Sequence, residues 1–452
     1  MAIMIMIVLI VFLALIYVIE KTVSHPMIIL LGEWSTIFLL CAFNVYDYDI
    51  SSKAYIIIFL GILSCIGGYF FSKNELNFNV KCNEKINVKC NDKNIFSNTK
   101  LYLIFCIEII MLIILMSYYE NVKSLLDSGI AYGEIRYSYL KDVIGQNPVY
   151  NIIFSYLVRP FGIMMMPLSV YLLVKDRRKV VKLVFLIELV NVLLVTVVMG
   201  ERMYLFYYAF FMIITYLCVR RSEGKTSSKR FKKIALLAII LFACVFVFIS
   251  KSRISSGVSN KNENENENEL VEKIQDTAYL YFSGCVSHLS QKVENFDLDK
   301  CADKYTYGVT SFQGVIRPLH QVWELVDQNI SSRNSLFNKA DDRKNEIESA
   351  ILLGGRRFNG YISMFYYFYV DLNLIGVVII SFLISVWINW RYSYFLANKS
   401  SYSLIRYLLA VSIFAFSFFQ FMLSNLDVPM AFVYCWLIFL STNKIKVKLT
   451  EG

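Results

Sequence analysis

Long apolar runs recur from one end of the sequence to the other, and they constrain the fold more than any other feature. Each run is close to the roughly 20 residues that a helix needs to cross a bilayer. Because lipid offers no hydrogen-bond partner to backbone polar groups, each run should form a helix. Hydrophobic residues make up 57% of the 452 positions, whereas soluble domains contain about 45–50%. The sequence therefore predicts an all-α, polytopic integral membrane protein.

About eleven transmembrane helices are predicted from the lengths of the runs. Residues 1–250 hold helices 1–8, residues 251–365 form one large outer loop, and residues 366–452 hold helices 9–11 and a short tail. The first run has no basic segment before it and no small-residue cleavage site after it, which favours an anchor over a cleaved signal peptide. The predicted spans are 2–19, 26–46, 54–72, 101–118, 149–174, 181–199, 203–219, 234–250, 366–389, 404–423 and 428–442.

Lysine and arginine collect in alternate loops, for example in "KDRRK" and "RRSEGKTSSKRFKK". The positive-inside rule places those loops, and the C-terminus, in the cytoplasm of a bacterial-type inner membrane, with the N-terminus outside. Topology and attraction to anionic membrane lipid account for the net charge of +10. We therefore expect no nucleic-acid partner.

The predicted outer, periplasmic loop is the only predicted loop that is long enough to form a soluble subdomain. It opens with an Asn-Glu repeat that has no apolar content. The segments 270–296 and 304–326 follow, with apolar residues at three- and four-residue spacing, which predicts amphipathic helices. Cys285 and Cys301 in this loop could pair in an oxidising compartment or remain free thiols.

Arginine recurs on the predicted outer side. Its planar, permanently charged fork suits phosphate oxygens better than an ammonium group does. Each arginine alone could snorkel to the interface or pair with an acid, as Arg202 could with Glu201. Together they predict an anion site, and the obvious anion on that side is a lipid-linked pyrophosphate. The arginines are Arg136, Arg202, Arg253, Arg317, Arg333, Arg343, Arg356 and Arg357, with Arg159 inside a span.

Several stretches of residues about 195–390 resemble the Wzy-type O-antigen and oligosaccharide repeat-unit polymerases. They are "GERMYLFYYAFFMI", "YFSGCVSHLS", "YGVTSFQGVIRPLH" and the aromatic "YYFYVDLNLIGVVIISFLI" after the long loop. Some members carry an arginine, ten residues and then a glycine, as Arg343 and Gly354 do here. The related ligases use an outer-loop histidine near arginines, to which His320 beside Arg317 is similar, with His288 as the alternative.

The resemblance implies a membrane glycosyltransferase that needs no metal or other cofactor. A growing glycan leaves polyprenyl pyrophosphate and joins the non-reducing end of a lipid-linked repeat unit on the outer face, to build O-antigen, capsule or a similar polysaccharide. A chain-length regulator and a flippase of the same pathway are the implied protein partners. The implied general bases are His320, Glu201 and Asp371; the diphosphate ligands are Arg202, Arg253, Arg317, Arg343, Arg356 and Arg357; the sugar-stacking residues are Tyr361 and Trp323.

Three other activities remain open. Asp47 and Asp49 form an Asp-x-Asp pattern that could hold a divalent metal in a glycosyltransferase using a polyprenyl-monophosphate sugar. A flippase or transporter of lipid-linked glycans would have paired repeats and broken helices at the membrane midplane, and only Arg159-Pro160 predicts a break. The O-antigen ligase is the third alternative.

Overall fold

The computed structural model describes residues 1–45, 49–83, 96–130, 148–199, 202–223, 267–298, 304–326, 335–349, 351–353, 356–358 and 362–440. These residues form α-helices joined by short turns, with one two-stranded hairpin. By contact, the chain divides into two compact units. Unit 1 comprises Met1–Val88, Asn264–Asn398 and Ala410–Leu426, and unit 2 comprises Lys89–Glu263, Lys399–Leu409 and Asp427–Gly452.

Eight helices among the described residues are long and apolar enough to cross a membrane. The first of them, α1, buries only Ala2, Ile5, Leu9 and Ile16 and exposes the rest of its apolar surface. Surface of that kind is stable against lipid and costly in water. The chain thus has the helices of a polytopic membrane protein. The eight span Ala2–Glu20, Pro26–Phe43, Ser52–Asn74, Asn98–Asp127, Val149–Lys175, Lys179–Met199, Met203–Arg221 and Met364–Asn398.

Each of these eight helices coincides with one of the predicted spans, and two other predicted spans form shorter apolar helices. The predicted span 404–423 is wrong in its second half, because the helix Ser401–Ala415 gives way to turns and a 3-10 helix at Met422–Ser424. The last span is a helix of 13 residues, Asp427–Phe439. The predicted span 234–250 lies outside the described residues, so the total of eleven remains a prediction.

Unit 1 begins with three apolar helices, α1 (Ala2–Glu20), α2 (Pro26–Phe43) and α3 (Ser52–Asn83). Helix α1 packs on α2, and α3 packs along a later helix of the same unit, Met364–Asn398. The buried Trp34 indole donates a 2.8 Å hydrogen bond to the Ser417 hydroxyl, which in turn donates to the Glu33 carboxylate at 3.0 Å. The Trp34 indole and the Ser417 hydroxyl thereby acquire partners in the interior of the unit.

Unit 2 is built from α4 (Asn98–Asp127), α5 (Pro148–Ile152), α6 (Arg159–Lys175), α7 (Lys179–Met199) and α8 (Met203–Glu223). A π-helical turn, Ile153–Val158, joins α5 to α6. The chain remains helical through the predicted break at Arg159-Pro160, since proline is tolerated in the first turn of a helix. The irregularity falls one turn earlier, where the π-turn widens the helix; such turns are common at functional sites.

The predicted outer segment contributes α9 (Glu267–Leu298), α10 (Gln313–Val326) and α11 (Ser335–Glu348) to unit 1. Helix α9 covers the predicted amphipathic helix 270–296. The second prediction, 304–326, is helical only from Gln313, because residues 307–312 form turns. Among the described residues, nothing tests which side of a membrane this segment faces.

Two short strands, β1 (Ile351–Leu353) and β2 (Arg356–Phe358), follow α11 and depart from a purely α fold. They pair antiparallel, with Ile351 opposite Phe358 and Leu353 opposite Arg356. The sequence between them is Gly354-Gly355, a pair that a two-residue hairpin turn favours because glycine accepts positive φ. The hairpin leads to α12 (Met364–Asn398), α13 (Ser401–Ala415) and α14 (Asp427–Phe439).

Helix α12 is interrupted after Asp371. Leu372 and Asn373 have non-helical backbone angles, and φ of Asn373 is 55°. Asparagine tolerates this left-handed region better than most residues with a side chain. Gly376 lies so close to the Phe368 carbonyl that a Cβ atom would collide with it. The aromatic segment Met364–Asp371 is therefore a separate short helix that precedes the long apolar one.

Candidate functional site

Some of the predicted site residues lie outside the described residues, and their roles remain predictions. Arg356 and Arg357 lie in β2, but their side chains are not described. Asp49 is described and exposed, whereas the other half of the Asp-x-Asp pattern is not described. The undescribed residues are Asp47, Arg136, Glu201, Arg253, Cys301, Arg333, Gly354 and Tyr361.

Arg202 immediately precedes α8 in unit 2 and is only 5% exposed. Its carbonyl oxygen accepts hydrogen bonds from the backbone N–H groups of Leu205, at 3.1 Å, and Phe206, at 3.4 Å. Arg202 thus occupies the start of the helix and carries a guanidinium into the interior of unit 2. Arg317 and Arg343, the arginines of the predicted outer segment whose side chains are described, belong to unit 1.

Helix α10 packs against α11 through two of the predicted residues. The His320 ring stacks on Phe337 with the centroids 4.2 Å apart and the planes 3° from parallel. The Arg317 guanidinium lies 3.8 Å from the Asp341 carboxylate and is about half exposed. His320 is buried at 8% exposure. These contacts hold two helices together, and a substrate hydroxyl would reach His320 only through a rearrangement.

The opposite face of α10 is apolar and exposed. Trp323 is 64% exposed, and Val315, Leu319 and Val322 are exposed beside it. Their spacing of four, three and one residues places them on one side of the helix. Trp323 is thus available to stack on a sugar ring, as predicted, or to lie at a membrane interface.

Asp371 is fully buried at the end of the short helix of α12. One carboxylate oxygen accepts a 2.5 Å hydrogen bond from the Thr306 hydroxyl and a 3.2 Å bond from the Thr310 N–H. The other accepts a 3.1 Å bond from the Ser311 N–H. Both oxygens are engaged with residues 306–311, so the geometry assigns Asp371 to positioning that segment. We therefore withdraw it as a candidate general base.

Unit 1 also contains a group of cations and aromatic rings centred on Phe296, which we call the Phe296 cluster. The Lys304 ammonium lies 4.8 Å from the centroid of the Phe296 ring, and the Arg343 guanidinium carbon lies 5.0 Å from it. Both distances are within cation–π range. The cluster comprises Lys53, Lys292, Phe296, Asp297, Lys304, Arg343, Glu346, Tyr366 and Tyr369.

Glu346 joins Arg343 to Lys292 within this cluster. The Arg343 guanidinium donates a 2.8 Å hydrogen bond to the Glu346 carboxylate. The Lys292 ammonium donates to the Glu346 carbonyl oxygen and to the Ser349 hydroxyl, each at 2.6 Å. Burial lowers the pKa of Lys292 from its ordinary value, and the charge of Glu346 opposes that shift in part.

Asp297 ties the cluster to α3 and α12. Lys53 forms a short ion pair with Asp297, and its ammonium lies 5.3 Å from the centroid of the Tyr369 ring. The Tyr369 hydroxyl donates to the other Asp297 oxygen at 2.7 Å. The Tyr366 hydroxyl donates to the Lys292 carbonyl oxygen at 3.1 Å. Helices from distant parts of the sequence thus meet at one charged site.

The composition of the Phe296 cluster favours anions. Four of its side chains are cationic and two are carboxylates, so positive charge is in excess among its members. The arginine guanidinium and the lysine ammonium are the usual protein ligands of phosphate oxygens. Aromatic rings beside them offer faces on which an apolar or sugar group can lie. The charge and the rings of the cluster would suit a diphosphate that carries an apolar or sugar group.

Unit 2 holds the predicted intramembrane arginine. The Arg159 guanidinium forms a 2.8 Å ion pair with Asp427 of α14 and donates a 2.6 Å hydrogen bond to the Tyr204 hydroxyl. A charge within the membrane is tolerated when it is paired in this way. The acid partner comes from a helix 268 residues away (159 to 427), which a local sequence pattern does not reveal.

Cys285 is fully buried in α9, and its thiol donates a 3.2 Å hydrogen bond to the Phe282 carbonyl oxygen. Burial raises the pKa of its thiol well above the usual value. The thiol is therefore held in its neutral, unreactive form. Pairing with Cys301 remains untested, since Cys301 lies outside the described residues.

The lysines of the Phe296 cluster and the carboxylates inside unit 2 were not predicted from the sequence. Arginine was favoured for its fit to phosphate, whereas lysine was taken as a marker of topology. The signal for the carboxylates was present, because Glu108 and Glu188 each stand within an apolar run where an acid is costly.

Comparison with known proteins finds no matching family model, no matching curated protein and no matching solved structure.

Proposed function

We propose that the protein polymerises lipid-linked oligosaccharide repeat units on the outer face of the inner membrane. It transfers the growing glycan from polyprenyl pyrophosphate to the non-reducing end of a repeat unit carried by a second lipid. The observation that carries this proposal is the Phe296 cluster, in which Lys304 and Arg343 approach one aromatic ring. The apolar helices and the sequence resemblance to Wzy-type polymerases support the same activity.

The chemistry needs positive charge where the leaving group departs. The acceptor hydroxyl oxygen bonds to the anomeric carbon of the donor, and the bond from that carbon to the diphosphate oxygen breaks. Lys292, Lys304 and Arg343 hold the departing polyprenyl diphosphate and stabilise its growing charge. Fixed cationic groups of this kind lower a barrier by several kcal/mol, on the order of 3 kcal/mol for one donor.

The proton of the acceptor hydroxyl passes to a general base. Glu201 and His320 remain the candidates, and both stay predictions, because Glu201 is not described and His320 stacks on Phe337. Asp371 supports the site indirectly by fixing residues 306–311, next to Lys304 in the sequence. Arg202, Arg253, Arg356 and Arg357 remain proposed diphosphate ligands.

A glycan gel of a strain deleted for this chain tests the proposal. Complementation with the unmodified chain is expected to restore a ladder of polymer lengths. Complementation with Arg343→Met is expected to leave a single repeat unit on its lipid, which accumulates on the outer leaflet. Lys123→Met, which removes an exposed lysine of α4, serves as the matched control and is expected to keep the ladder. A full ladder with Arg343→Met contradicts the proposed role of the cluster.

Transport of lipid-linked glycans is the second candidate, and one observation favours it. Unit 2 places the ionisable residues Glu108, Arg159 and Glu188 inside helices long enough to span the membrane. Such residues mark ion or substrate pathways in transporters. Accumulation of single repeat units on the inner leaflet of the deletion strain would select transport over polymerisation.

A further inference from the structure

Two carboxylic acids lie inside unit 2, whereas the Phe296 cluster belongs to unit 1. Glu108 is on α4 and Glu188 is on α7, two helices that pack against each other. Each is 1% exposed. An acid in this position is costly to ionise and is normally retained for a function.

The two acids are close enough to share a hydrogen bond. Asn191, one turn after Glu188, donates from its amide to the Glu108 carboxylate at 2.7 Å and to the Glu108 carbonyl oxygen at 3.3 Å. A hydrogen bond between two carboxyl groups requires that one of them carries a proton, because an ionised carboxylate only accepts. The geometry of the pair thus includes a place for one proton.

Three oxygen atoms at this position are buried without a hydrogen-bond partner among the described residues. They are one carboxyl oxygen each of Glu108 and Glu188 and the amide oxygen of Asn191. All three residues line a small cavity, with room for about one or two water molecules. Buried polar atoms normally find a partner. Because all three oxygen atoms are hydrogen-bond acceptors, they favour a group in the cavity that donates hydrogen bonds or carries positive charge.

The other charged and titratable groups near the cavity come from neighbouring helices. Arg159 and Tyr204 also line it, and Tyr208 lies in the same helix as Tyr204. The Arg159 guanidinium binds Asp427 and the Tyr204 hydroxyl. Arg159 therefore has an acidic partner of its own in unit 2.

We infer that Glu108, Glu188 and Asn191 form a proton-binding site within the membrane. The two carboxyl groups share one proton, Asn191 orients the Glu108 carboxylate, and water in the cavity provides the route by which the proton exchanges. This site lies in unit 2, and it is independent of the proposed glycan chemistry.

Labelling with dicyclohexylcarbodiimide, an apolar reagent that modifies protonated carboxyls, tests the inference on the full-length protein in lipid nanodiscs. Peptide mass spectrometry is expected to find Glu108 or Glu188 modified at mildly acidic pH. The modification should fall as the pH rises and should be indifferent to sodium. Glu108→Gln and Glu188→Gln should each lower the yield at the remaining acid. Protection by sodium at constant pH would overturn the inference in favour of a sodium site.

A second measurement covers the case in which the reagent does not reach the cavity. The infrared difference spectrum between acidic and alkaline pH is expected to contain the carbonyl band of a buried protonated carboxyl. The double variant Glu108→Gln/Glu188→Gln should lose part of this band, and the remainder belongs to other buried acids such as Asp371. The control Glu120→Gln, which removes an exposed acid of α4, should keep the full band. Equal band intensity in the double variant and the unmodified protein, or no band in the unmodified protein, contradicts the shared proton.

Discussion

Lys304 and Arg343 converge on the ring of Phe296, with cationic groups 4.8 Å and 5.0 Å from its centroid. Two like charges near one ring repel each other unless anions balance them. Glu346 supplies one negative charge through its 2.8 Å ion pair with Arg343. An incoming diphosphate would supply more, so the arrangement is stabilised by the ligand that it is proposed to bind.

Arg343 and Arg317, the two arginines of the predicted outer segment whose side chains are described, should differ in their importance for diphosphate binding. Arg343→Met removes a largely buried cation of the Phe296 cluster and is expected to weaken binding of geranylgeranyl diphosphate by about tenfold to a hundredfold, the equivalent of about 1.5–3 kcal/mol. Arg317→Met removes a half-exposed guanidinium that faces Asp341, and should change affinity by less than about threefold. Isothermal titration calorimetry on the detergent-solubilised protein measures both. Equal losses would count against the cluster.

Binding of the same ligand should depend on pH through Lys292. Burial lowers the pKa of this lysine, so its positive charge is lost at a lower pH than that of an exposed lysine. Diphosphate affinity should therefore decline as the pH rises, before ordinary lysines titrate. Lys292→Arg replaces the group by one that remains charged, and should move the decline to higher pH. Superimposable pH profiles of the two proteins would rule out this role.

Asp371→Asn separates a positioning role from a catalytic one. The carboxylate accepts three hydrogen bonds from residues 306–311. An amide would turn one acceptor into a donor that faces an N–H or hydroxyl group, at a cost of about 1.5–3 kcal/mol. We expect a lower midpoint of thermal unfolding and faster proteolysis within residues 304–312. A stable variant that has lost only turnover would instead make Asp371 a catalytic base.

Gly376→Ala tests the interruption of α12. The added methyl group would collide with the Phe368 carbonyl, so the short helix Met364–Asp371 has to move away. The expected destabilisation is about 1–3 kcal/mol, measured as the midpoint of thermal unfolding. Gly32→Ala in α2 is the control, because its Cβ would make ordinary contact at 3.7 Å and helix propensity favours alanine by about 1 kcal/mol. Similar midpoints for Gly376→Ala and the unmodified protein would contradict the close packing.

The membrane helices were predictable from the sequence because the length of an apolar run is a local property. The run at 203–219, for example, becomes the helix Met203–Arg221. Apolarity alone does not distinguish a helix from a buried turn. Phe416 and Phe419 are buried after the end of α13, where the Phe419 N–H bonds to the Phe416 carbonyl within a turn. The predicted span through these residues therefore ran too far.

The interruption at Leu372 and Asn373 was not predictable, since neither residue is a glycine or a proline. It depends on the close contact of Gly376 with the Phe368 carbonyl and on the hydrogen bonds that the Asp371 carboxylate accepts from residues 306–311. Contacts of this kind join positions that are far apart in the sequence. The same reason hid the Phe296 cluster, in which Lys53 pairs with Asp297 across 244 positions.

The role of Arg343 as a diphosphate ligand stays a prediction, and the sequence did not reveal the groups that surround its guanidinium. Sequence spacing shows where guanidinium groups are available but not which acids they meet. The structure gives Arg317 the partner Asp341 and gives Arg343 the partner Glu346. It also places Lys292 and Lys304 in the Phe296 cluster. Nothing in the sequence distinguished these two lysines from the others.

Reconstitution of the reaction with the purified protein distinguishes polymerisation of repeat units from their transport. The purified protein in lipid vesicles is given lipid-linked repeat units extracted from the deletion strain, with no nucleotide and no other protein. We expect polymer of increasing length and one released polyprenyl diphosphate for each linkage formed, with both signals lost in Arg343→Met. Repeat units that cross the vesicle membrane unchanged, with no released lipid diphosphate, would contradict the proposed polymerisation.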